Sequence, residues 1–150
     1  MLKTIRTNSD HPDFIQLVAA LDAYLAVTDG KEHAFYAQFN KIDQIKHVVL
    51  ALNNDLPVGC GAIKEFSTNA MEVKRMFTSP AGRKKGSATA VLSELEQWAA
   101  ELGYEKCVLE TGIRQADAIS LYTNCGYQQT PNYGQYVGVE NSVCFEKKLS

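Results

Sequence analysis

The sequence predicts an α/β fold, in which a sheet of mixed strand direction carries helices on both faces. Segments with apolar residues at every second position, or in short continuous runs, are typical of strands. They alternate with segments whose apolar residues recur every three or four positions, which are typical of helices. The chain order is strand, two helices, three strands, helix, strand, helix and two strands, which favours one sheet covered by helices on both sides.

The first third of the chain predicts one strand and two helices. Residues 2 to 7 alternate apolar and polar side chains and form the first strand. Asp10 can cap the first helix, Pro12 suits its first turn, and the helix ends near residues 29 and 30. A shorter helix over residues 31 to 39 follows. The apolar stripe of the first helix consists of Phe14, Leu17, Val18, Leu21 and Leu25.

The middle of the chain predicts three strands joined by tight turns. The strands cover residues 47 to 52, 56 to 64 and 70 to 78, and turn-forming residues occupy positions 53 to 55 and 67 to 69. Because short turns connect antiparallel neighbours, we expect an antiparallel meander.

A long helix and four shorter elements complete the chain. The long helix ends at Gly103. After it we expect a strand over residues 106 to 110, a helix over 116 to 124, a strand near Tyr127 and a last strand over 142 to 149. The predicted buried face of the long helix consists of Ala88, Val91, Leu92, Leu95, Ala99 and Leu102.

The composition is that of a globular protein with one domain, residues 1 to 150. A chain of this length buries about two-thirds of its unfolded surface. The formal net charge of -2 does not suit a dedicated nucleic-acid binder. The sequence has neither a signal peptide nor an apolar run of the about 20 residues that a membrane span needs, so we expect a cytoplasmic protein without nucleic-acid or membrane partners. Four widely spaced cysteines without a C-x-x-C pair predict reduced thiols and no metal site.

The loop before the long helix predicts a binding site for a phosphate anion. Gly86, Ser87 and Ala88 offer backbone N–H groups without bulky side chains, and the N-terminus of the next helix adds partial positive charge. A Walker loop is excluded, because its Gly, four residues and Gly-Lys-Ser/Thr do not occur here. Full positive charges come from the first half of the loop: Arg83, Lys84 and Lys85.

Three motifs resemble those of the GNAT family of N-acetyltransferases. The loop reads Arg83-x-x-Gly86-x-Ala88, similar to the Arg/Gln-x-x-Gly-x-Gly/Ala signature of the family. The strand over residues 70 to 78 resembles the central strand of the family. The resemblance covers about half of the chain and implies the GNAT fold, with a mixed, mostly antiparallel sheet flanked by helices on both faces. The third motif is Gly112-x-x-Gln115-x-x-Ala118-Ile119-x-Leu121-Tyr122-x-x-x-Gly126-Tyr127.

The loop departs from the family pattern at three positions. Lys84 and Ala88 stand where the family usually has glycine, and Ser87 stands where it has a hydrophobic residue. Because main-chain N–H groups do most of the phosphate binding, these departures are compatible with a phosphate site.

The resemblance implies acetyl-CoA as the cofactor. In the family the central strand separates from its neighbour, so that its main chain, here at Met76, Phe77 and Thr78, pairs with the pantetheine arm like an added strand. The N–H of Met76 or Phe77 would then stabilise negative charge that develops on the thioester oxygen. Gln115 and Tyr122 of the third motif are expected to be further cofactor contacts.

Two side chains are candidates for proton transfer. The acceptor amine must lose a proton, because an alkyl ammonium with a pKa of about 10.4 is charged at neutral pH. Glu72 resembles the general-base glutamate of histone-type family members. Glu110 or a water chain are the alternative bases. If Glu72 only pairs with Lys74, its role is purely structural. Tyr122 resembles the tyrosine beside the CoA sulfur in the family, where a phenol can protonate the departing thiolate.

The acceptor pocket is the part of the site that the sequence defines least. In the family it lies between the first two helices and the loop before the last strand, whose aromatic and acidic side chains suit a cationic amine of a small molecule or a peptide. The same tyrosines suit a homodimer contact. The candidate residues are Tyr24, Asp29, His33, Tyr36, Asn132, Tyr133 and Tyr136.

Two other functions are compatible with these residues. The first is a regulatory module that binds CoA without catalysis, which requires Glu72 and Tyr122 to lie far from the sulfur. The second is a nucleotide-binding or nucleic-acid-binding domain that uses the basic loop, and the acidic net charge argues against it.

Overall fold

The computed structural model describes residues 1 to 29 and 45 to 149. The helix predicted over residues 31 to 39 lies outside these residues. No helix in the described part is both long and apolar enough to span a membrane. The strands are β1 (Leu2–Thr7), β2 (His47–Asn53), β3 (Leu56–Ser67), β4 (Ala70–Thr78), β5 (Lys106–Gly112), β6 (Gln128–Thr130) and β7 (Ser142–Lys148). The α-helices are α1 (Pro12–Asp29), α2 (Ser87–Glu101) and α3 (Ala116–Asn124), and short 3-10 helices cover Pro80–Gly82 and Gly134–Tyr136.

One mixed sheet holds all of these strands, in the order β1-β2-β3-β4-β5-β7-β6. Its neighbouring strands are antiparallel with one exception, the parallel pair of β4 and β5. Two parallel strands need a long crossover connection, and α2 provides it between β4 and β5. The predicted mixed, mostly antiparallel sheet is therefore confirmed, and so is the antiparallel meander of β2, β3 and β4.

Helices cover both faces of the sheet, as the sequence predicts. Successive side chains of a strand point to opposite faces, so Val49 of β2 packs on the side of α2 and Val48 on the side of α1. Each fully buried aliphatic side chain stabilises the fold by about 1.5 to 3 kcal/mol. The α1 side buries Phe14, Leu17 and Val18. The α2 side buries Val91, Leu92, Leu95 and Ala99, together with Tyr122 of α3.

The buried face of α2 is one residue shorter at its C-terminal end than the periodicity predicts. The prediction that Leu102 is buried is wrong, because Leu102 follows the last helical residue and is 43% exposed. Gly103 adopts a φ of 94°, a left-handed conformation that ends the helix and turns the chain before Leu102 can reach the core. Tyr127, which we expected in a strand, directly precedes β6 and is buried.

A bulge bends β4 where it passes Gly61 of β3. The pairing register of the two strands shifts between Cys60 and Ala62. On β4 this irregularity coincides with Arg75, whose φ of 59° is left-handed and uncommon for a residue other than glycine. The next two side chains diverge, since Met76 packs on the α2 side of the sheet and Phe77 on the α1 side.

Beyond the start of β4, the parallel strands β4 and β5 separate. In the described residues their register pairs only Ala70, Met71 and Glu72 with residues 106 to 108. From there β5 continues alongside β7 as far as Gly112, while β4 continues alongside β3 as far as Thr78. The main chain of β4 from residue 73 to 78 therefore faces an opening in the sheet, which is the separation that the resemblance implies.

The close packing at Gly61 generates a stability prediction. A Cβ atom at this position would lie 2.4 Å from Met76 Sδ and 2.9 Å from both Leu95 Cδ1 and Val91 Cγ1. Gly61→Ala should therefore lower the free energy of unfolding by about 1 to 3 kcal/mol, because the added methyl group overpacks the contact between the bulge and α2. Urea denaturation followed by circular dichroism measures the change. An unchanged unfolding midpoint would contradict the described packing.

Candidate active site

The opening between β4 and β5 leads into a groove of about 690 Å³. Four parts of the chain form its walls: the end of β4, the loop before α2, the first turns of α3 and the middle of α1. Among its lining residues are Leu21, Tyr24, Met76, Phe77, Thr78, Arg83, Lys84, Gly86, Ser87, Ala88, Arg114, Gln115 and Tyr122. The three sequence motifs thus meet in one groove.

The loop at one end of the groove leaves the N-terminus of α2 open. Gly86 is the N-cap residue with a φ of 78°, and no side chain caps the helix. The first backbone N–H groups of a helix have no partner inside the helix, so an anion can bind them. A Cβ atom at Gly86 would have no atom within 4 Å beyond its chain neighbours, so a side chain at this position has room.

The loop side chains divide into those that hold the loop and those that face the groove. Ser87 is buried, and its hydroxyl donates a hydrogen bond of 3.0 Å to the Gly82 carbonyl oxygen. The main-chain N–H of Ser87 is therefore the group it can offer to a ligand. Arg83 and Lys84 are exposed and line the groove. Lys84 adopts a φ of 61°, the left-handed conformation that explains why the family usually has glycine there.

The predicted cofactor residues come together with one exception. Lys85 is exposed and does not belong to the lining of the groove, whereas the other residues predicted for cofactor binding line it. The cofactor contacts of all of them stay predictions.

Arg114 is a groove residue that sequence reasoning missed. It follows β5, and its Nη1 donates a hydrogen bond of 3.3 Å to the carbonyl oxygen of Thr28 near the end of α1. This contact places an additional positive charge at the groove, between α1 and α3. No motif spacing marks Arg114, so only the chain fold could reveal it.

A second, smaller cavity of about 110 Å³ adjoins the groove. The two share the side chains of Leu21, Met76, Gln115, Ala118 and Tyr122 in their walls. The smaller cavity also contains charged and polar side chains from both separated strands and from the loop before β7. These are Glu72, Lys74 and Arg75 of β4, Glu110 and Thr111 of β5, and Tyr136.

Glu72 is a buried carboxylate rather than a half-exposed strand residue. Only 8% of it is exposed, and its Oε2 accepts a hydrogen bond of 2.7 Å from the Tyr133 hydroxyl. Its Oε1 lies 3.8 Å from Lys74 Nζ, so the pairing with Lys74 that the sequence offered as a structural role is present. Burial, and then the charge of Glu72, raise the pKa of Tyr133, which keeps that hydroxyl protonated as a donor.

Tyr122 lies between the two cavities. Its ring is buried against Tyr127 and Phe145, at centroid distances of 5.9 and 6.2 Å. Burial, and then the charge of Glu110, raise its pKa above the usual value, because both disfavour a phenolate. Tyr122 is therefore a neutral phenol in the wall that the groove and the smaller cavity share.

Arg75 is a second residue that sequence reasoning missed. Its side chain is 1% exposed, and its Nη2 donates to Asp22 Oδ1 on α1. Its Nε is buried without a hydrogen-bond partner in residues 1 to 29 and 45 to 149. The sequence shows only that an arginine occurs in an apolar strand. Its position could not be predicted, because the bulge that turns Arg75 toward α1 lies opposite Gly61 of another strand.

The residues predicted for the acceptor pocket have different positions. Tyr136 lines the smaller cavity, and Tyr133 supports Glu72. Tyr24 lines the groove instead. Asn132 has a structural role, because its Nδ2 donates to the carbonyl oxygens of Tyr136 and Val139 in its own loop and of Ser142 at the start of β7, at 3.0 to 3.1 Å. The Asp29 side chain, His33 and Tyr36 lie outside the described part of the chain.

Comparison with known proteins identifies similar sequences. The model of the Acetyltransferase (GNAT) family matches residues 15 to 127. The IAA acetyltransferase of Azospirillum brasilense is 33% identical over 138 residues, which are 90% of this chain and 90% of that protein. The uncharacterized N-acetyltransferase YsnE of Bacillus subtilis is 39% identical over 101 residues, 66% of this chain and 67% of its own length.

Solved structures show the same architecture. A protein of Klebsiella pneumoniae described as an acyl-CoA N-acyltransferase superposes with a TM-score of 0.84 at 30% identity, covering 100% of this chain and 99% of its own. The GNAT fold predicted from the motifs is thereby confirmed. Structures of the same fold contain acetyl-CoA or coenzyme A.

The open N-terminus of α2 generates a prediction about cofactor binding. Gly86→Asp should weaken CoA binding by at least about tenfold, because a carboxylate would repel the pyrophosphate in front of the helix. Isothermal titration calorimetry measures the affinity, and circular dichroism checks the fold.

Gly86→Asn is the matched control, since asparagine tolerates the same left-handed φ and has similar size without the charge. It should weaken binding less than the aspartate variant. Equal affinity of the aspartate variant and the unmodified protein would contradict the phosphate site.

Proposed function

Because the chain belongs to the Acetyltransferase (GNAT) family of N-acetyltransferases, which take their acetyl group from acetyl-CoA, we propose that it transfers this group directly to the primary amine of a small molecule or a peptide. One observation carries the proposal. Tyr122 stands in the common wall of a long groove open at a helix N-terminus and a small cavity that contains a buried glutamate. A thioester in the groove and an amine in the cavity would meet at this wall.

The shape and chemistry of the groove fit acetyl-CoA. The pyrophosphate would bind the N–H groups at the start of α2, with Arg83, Lys84 and Arg114 as positive charges nearby. The pantetheine amides would pair with the main chain of β4 between residues 76 and 78, which faces the opening in the sheet. When bound, acetyl-CoA supplies an activated acyl group, and the protein has to position it and move protons.

Met76 is the better of the two candidates for the N–H that stabilises the thioester oxygen. Phe77 is paired with Cys60 of β3 in the strand register, whereas Met76 lies at the bulge, where this register shifts. A bulge interrupts the regular pairing of a strand with its neighbour, which supports Met76 as the residue whose N–H is available to a ligand in the opening. A main-chain donor held by a bulge needs no reorganisation as negative charge develops.

Glu72 is proposed as the group that takes the proton from the amine, directly or through one water. Its carboxylate lies in the small cavity, and the Tyr133 hydroxyl holds one of its oxygens at 2.7 Å. A fixed carboxylate in a poorly solvated cavity is a stronger electrostatic partner for an ammonium group than one in water. It therefore both attracts the acceptor and receives its proton.

Tyr122 is proposed as the acid that protonates the departing thiolate. Its raised pKa keeps the hydroxyl protonated across the neutral range, and its position in the walls of both spaces supports this role. A thiolate leaves faster when a neighbouring hydroxyl donates a proton to it.

The cysteines support direct transfer rather than an acetyl-cysteine intermediate. Cys60, Cys107 and Cys144 are buried, and none of the four lines the groove or the smaller cavity formed by the described residues. Burial raises the pKa of Cys107 to about 12, so its thiolate is scarce at neutral pH. An acetyl-cysteine intermediate between the thioester and the amine therefore has no cysteine nucleophile among the residues that line the two spaces.

The proposed base can be tested once thiol release from acetyl-CoA has identified an acceptor amine. Glu72→Gln should lower kcat at neutral pH by about 10²-fold or more. The loss should shrink as the pH approaches the pKa of the amine, because a growing fraction of acceptor is then already neutral. A stopped-time thiol assay across the pH range measures both effects.

Tyr133→Phe is the matched control, since it keeps the carboxylate and removes only the hydrogen bond to it. Its kcat should fall less than that of the glutamine variant. A loss in Glu72→Gln that does not depend on pH would assign Glu72 a binding role, and full activity would move the base to Glu110 or to water. If no amine supports thiol release from a protein that binds acetyl-CoA, a non-catalytic CoA-binding module is the better description.

The proposed acid is tested by removing one hydroxyl. Tyr122→Phe keeps the ring and its contacts with Tyr127 and Phe145, so acetyl-CoA affinity and Tm should stay nearly constant. The kcat on a good acceptor should fall by about one to two orders of magnitude. Full turnover of the phenylalanine variant, with chemistry shown to limit the rate, would reduce Tyr122 to a packing residue.

A further inference from the structure

The orientation of the proposed base, Glu72, depends on a residue from an irregular loop. The Tyr133 hydroxyl donates to Glu72 Oε2 at 2.7 Å, whereas Lys74 Nζ lies 3.8 Å from Oε1, beyond hydrogen-bond distance. The hydrogen bond therefore sets the direction of the carboxylate more closely than the ion pair does. Tyr133 lies between β6 and β7 and lines neither the groove nor the small cavity formed by the described residues, so its contact with the site is the one with Glu72.

Tyr133 is itself held by an aromatic side chain of another strand, Phe66 of β3. The two rings meet edge to face, with centroids 4.7 Å apart and an interplanar angle of 64°. Phe66 also lies against the next residue of the loop, because a Cβ atom at Gly134 would be 3.7 Å from Phe66 Cε1. Edge-to-face packing is a preferred and directional arrangement of aromatic pairs, so this contact fixes the position of the Tyr133 ring.

An irregularity in β3 accompanies the position of Phe66. The register pairs Lys64 of β3 with Glu72 of β4 and then shifts between Glu65 and Ser67, which is at Phe66 itself. Irregularities of this kind redirect a side chain and are over-represented next to active sites. Phe66 therefore stands two residues beyond the strand partner of Glu72, where one loop residue contacts both side chains.

Core packing does not account for Phe66. This side chain is 42% exposed, and it belongs to none of the three hydrophobic clusters that the described residues form. A ring that keeps much of its surface in water contributes less hydrophobic stabilisation than a buried one. The contacts of Phe66 with Tyr133 and Gly134 point instead to a role in holding the loop.

We propose that Phe66 is a positioning residue for proton removal: its ring fixes Tyr133, and the Tyr133 hydroxyl fixes Glu72 toward the acceptor amine. The inference rests on the proposed function and extends it to a side chain outside both cavities. A carboxylate that rotates freely spends less time in the geometry that proton transfer needs, and a misplacement of about 1 Å can lower a rate by about 10²-fold.

Removal of the ring tests the inference kinetically. Phe66→Ala should lower kcat at neutral pH by about tenfold, with KM for acetyl-CoA changed by less than about twofold, because the groove keeps its walls. The loss should shrink as the pH approaches the pKa of the acceptor amine, since a neutral amine needs no base. The thiol-release assay measures both effects. An unchanged kcat, or a loss of equal size at every pH, would overturn the inference.

Two further variants separate positioning from general damage to the fold. Phe66→Tyr keeps the ring, so its kcat should stay within about twofold of that of the unmodified protein. Leu56→Ala removes a side chain that is 57% exposed at the other end of β3, and its kcat should not change. A Phe66→Tyr variant as slow as Phe66→Ala, or an equal loss in Leu56→Ala, would contradict a positioning role.

A double-variant cycle tests whether Phe66 acts through the Tyr133 hydroxyl. After Tyr133→Phe has removed the hydroxyl, the addition of Phe66→Ala should lower kcat by less than about twofold, because the hydrogen bond that the ring supports is already lost. Losses that multiply in the double variant would show that Phe66 affects turnover by another route, and would overturn the inference.

Crystal structures of the variants separate the inference from the proposed reaction, since they need no turnover. In Phe66→Ala the Tyr133 hydroxyl should lie beyond hydrogen-bond distance of Glu72, and in Phe66→Tyr it should remain within it. An intact hydrogen bond in Phe66→Ala would overturn the inference and leave the proposed acetyl transfer standing. A displaced hydroxyl together with full activity of Glu72→Gln would overturn the proposed base, on which the inference rests, while confirming that Phe66 holds Tyr133.

Discussion

The bulge in β4 at Arg75 is the local constraint on which both parts of the candidate site depend. Gly61 has no room for a side chain, and Met76 packs into the space beside it. The left-handed φ of Arg75 accompanies the turn of that side chain toward Asp22 of α1, and the next two side chains, Met76 and Phe77, lie on opposite faces of the sheet. One irregularity in the ladder thus redirects the side chains of β4 beside the opening in the sheet.

The charges buried around this bulge contribute little to the stability of the fold. A buried ion pair contributes little net stabilisation, because desolvation of both partners offsets their attraction. The chain nevertheless brings Glu72, Lys74 and Arg75 together at one cavity, within four positions of a single strand. Tyr133 from the loop before β7 and Asp22 from α1 hold the glutamate and the arginine in place. A rigid array of fixed charges of both signs suits a small polar ligand.

The two faces of the sheet contribute different parts of the candidate site. On the α2 side, a continuous apolar core holds the helix so that its uncapped N-terminus meets the groove at Gly86. On the α1 side, the core is interrupted beyond Glu72, where the polar cavity takes its place. Tyr122 belongs to the buried α2-side core and still reaches the walls of both spaces, because the strands have separated next to it.

Within the described residues, local sequence patterns determined the order of elements, most of the apolar faces of α1 and α2, and the loop that leaves the N-terminus of α2 uncapped, since each depends on residues within a few positions of one another. The motifs also identified Glu72 and Tyr122 as candidate site residues. The positions of Arg75, Arg114 and Tyr133 came only from the tertiary structure, because their partners Asp22, Thr28 and Glu72 lie more than 50 residues away in the chain. Leu102 also shows a limit of prediction from local patterns. Helical periodicity predicts that Leu102 is buried, but the left-handed turn at Gly103 ends the helix and leaves it exposed. Short-range periodicity specifies which elements form, whereas the contacts between distant elements decide which polar side chains face one cavity.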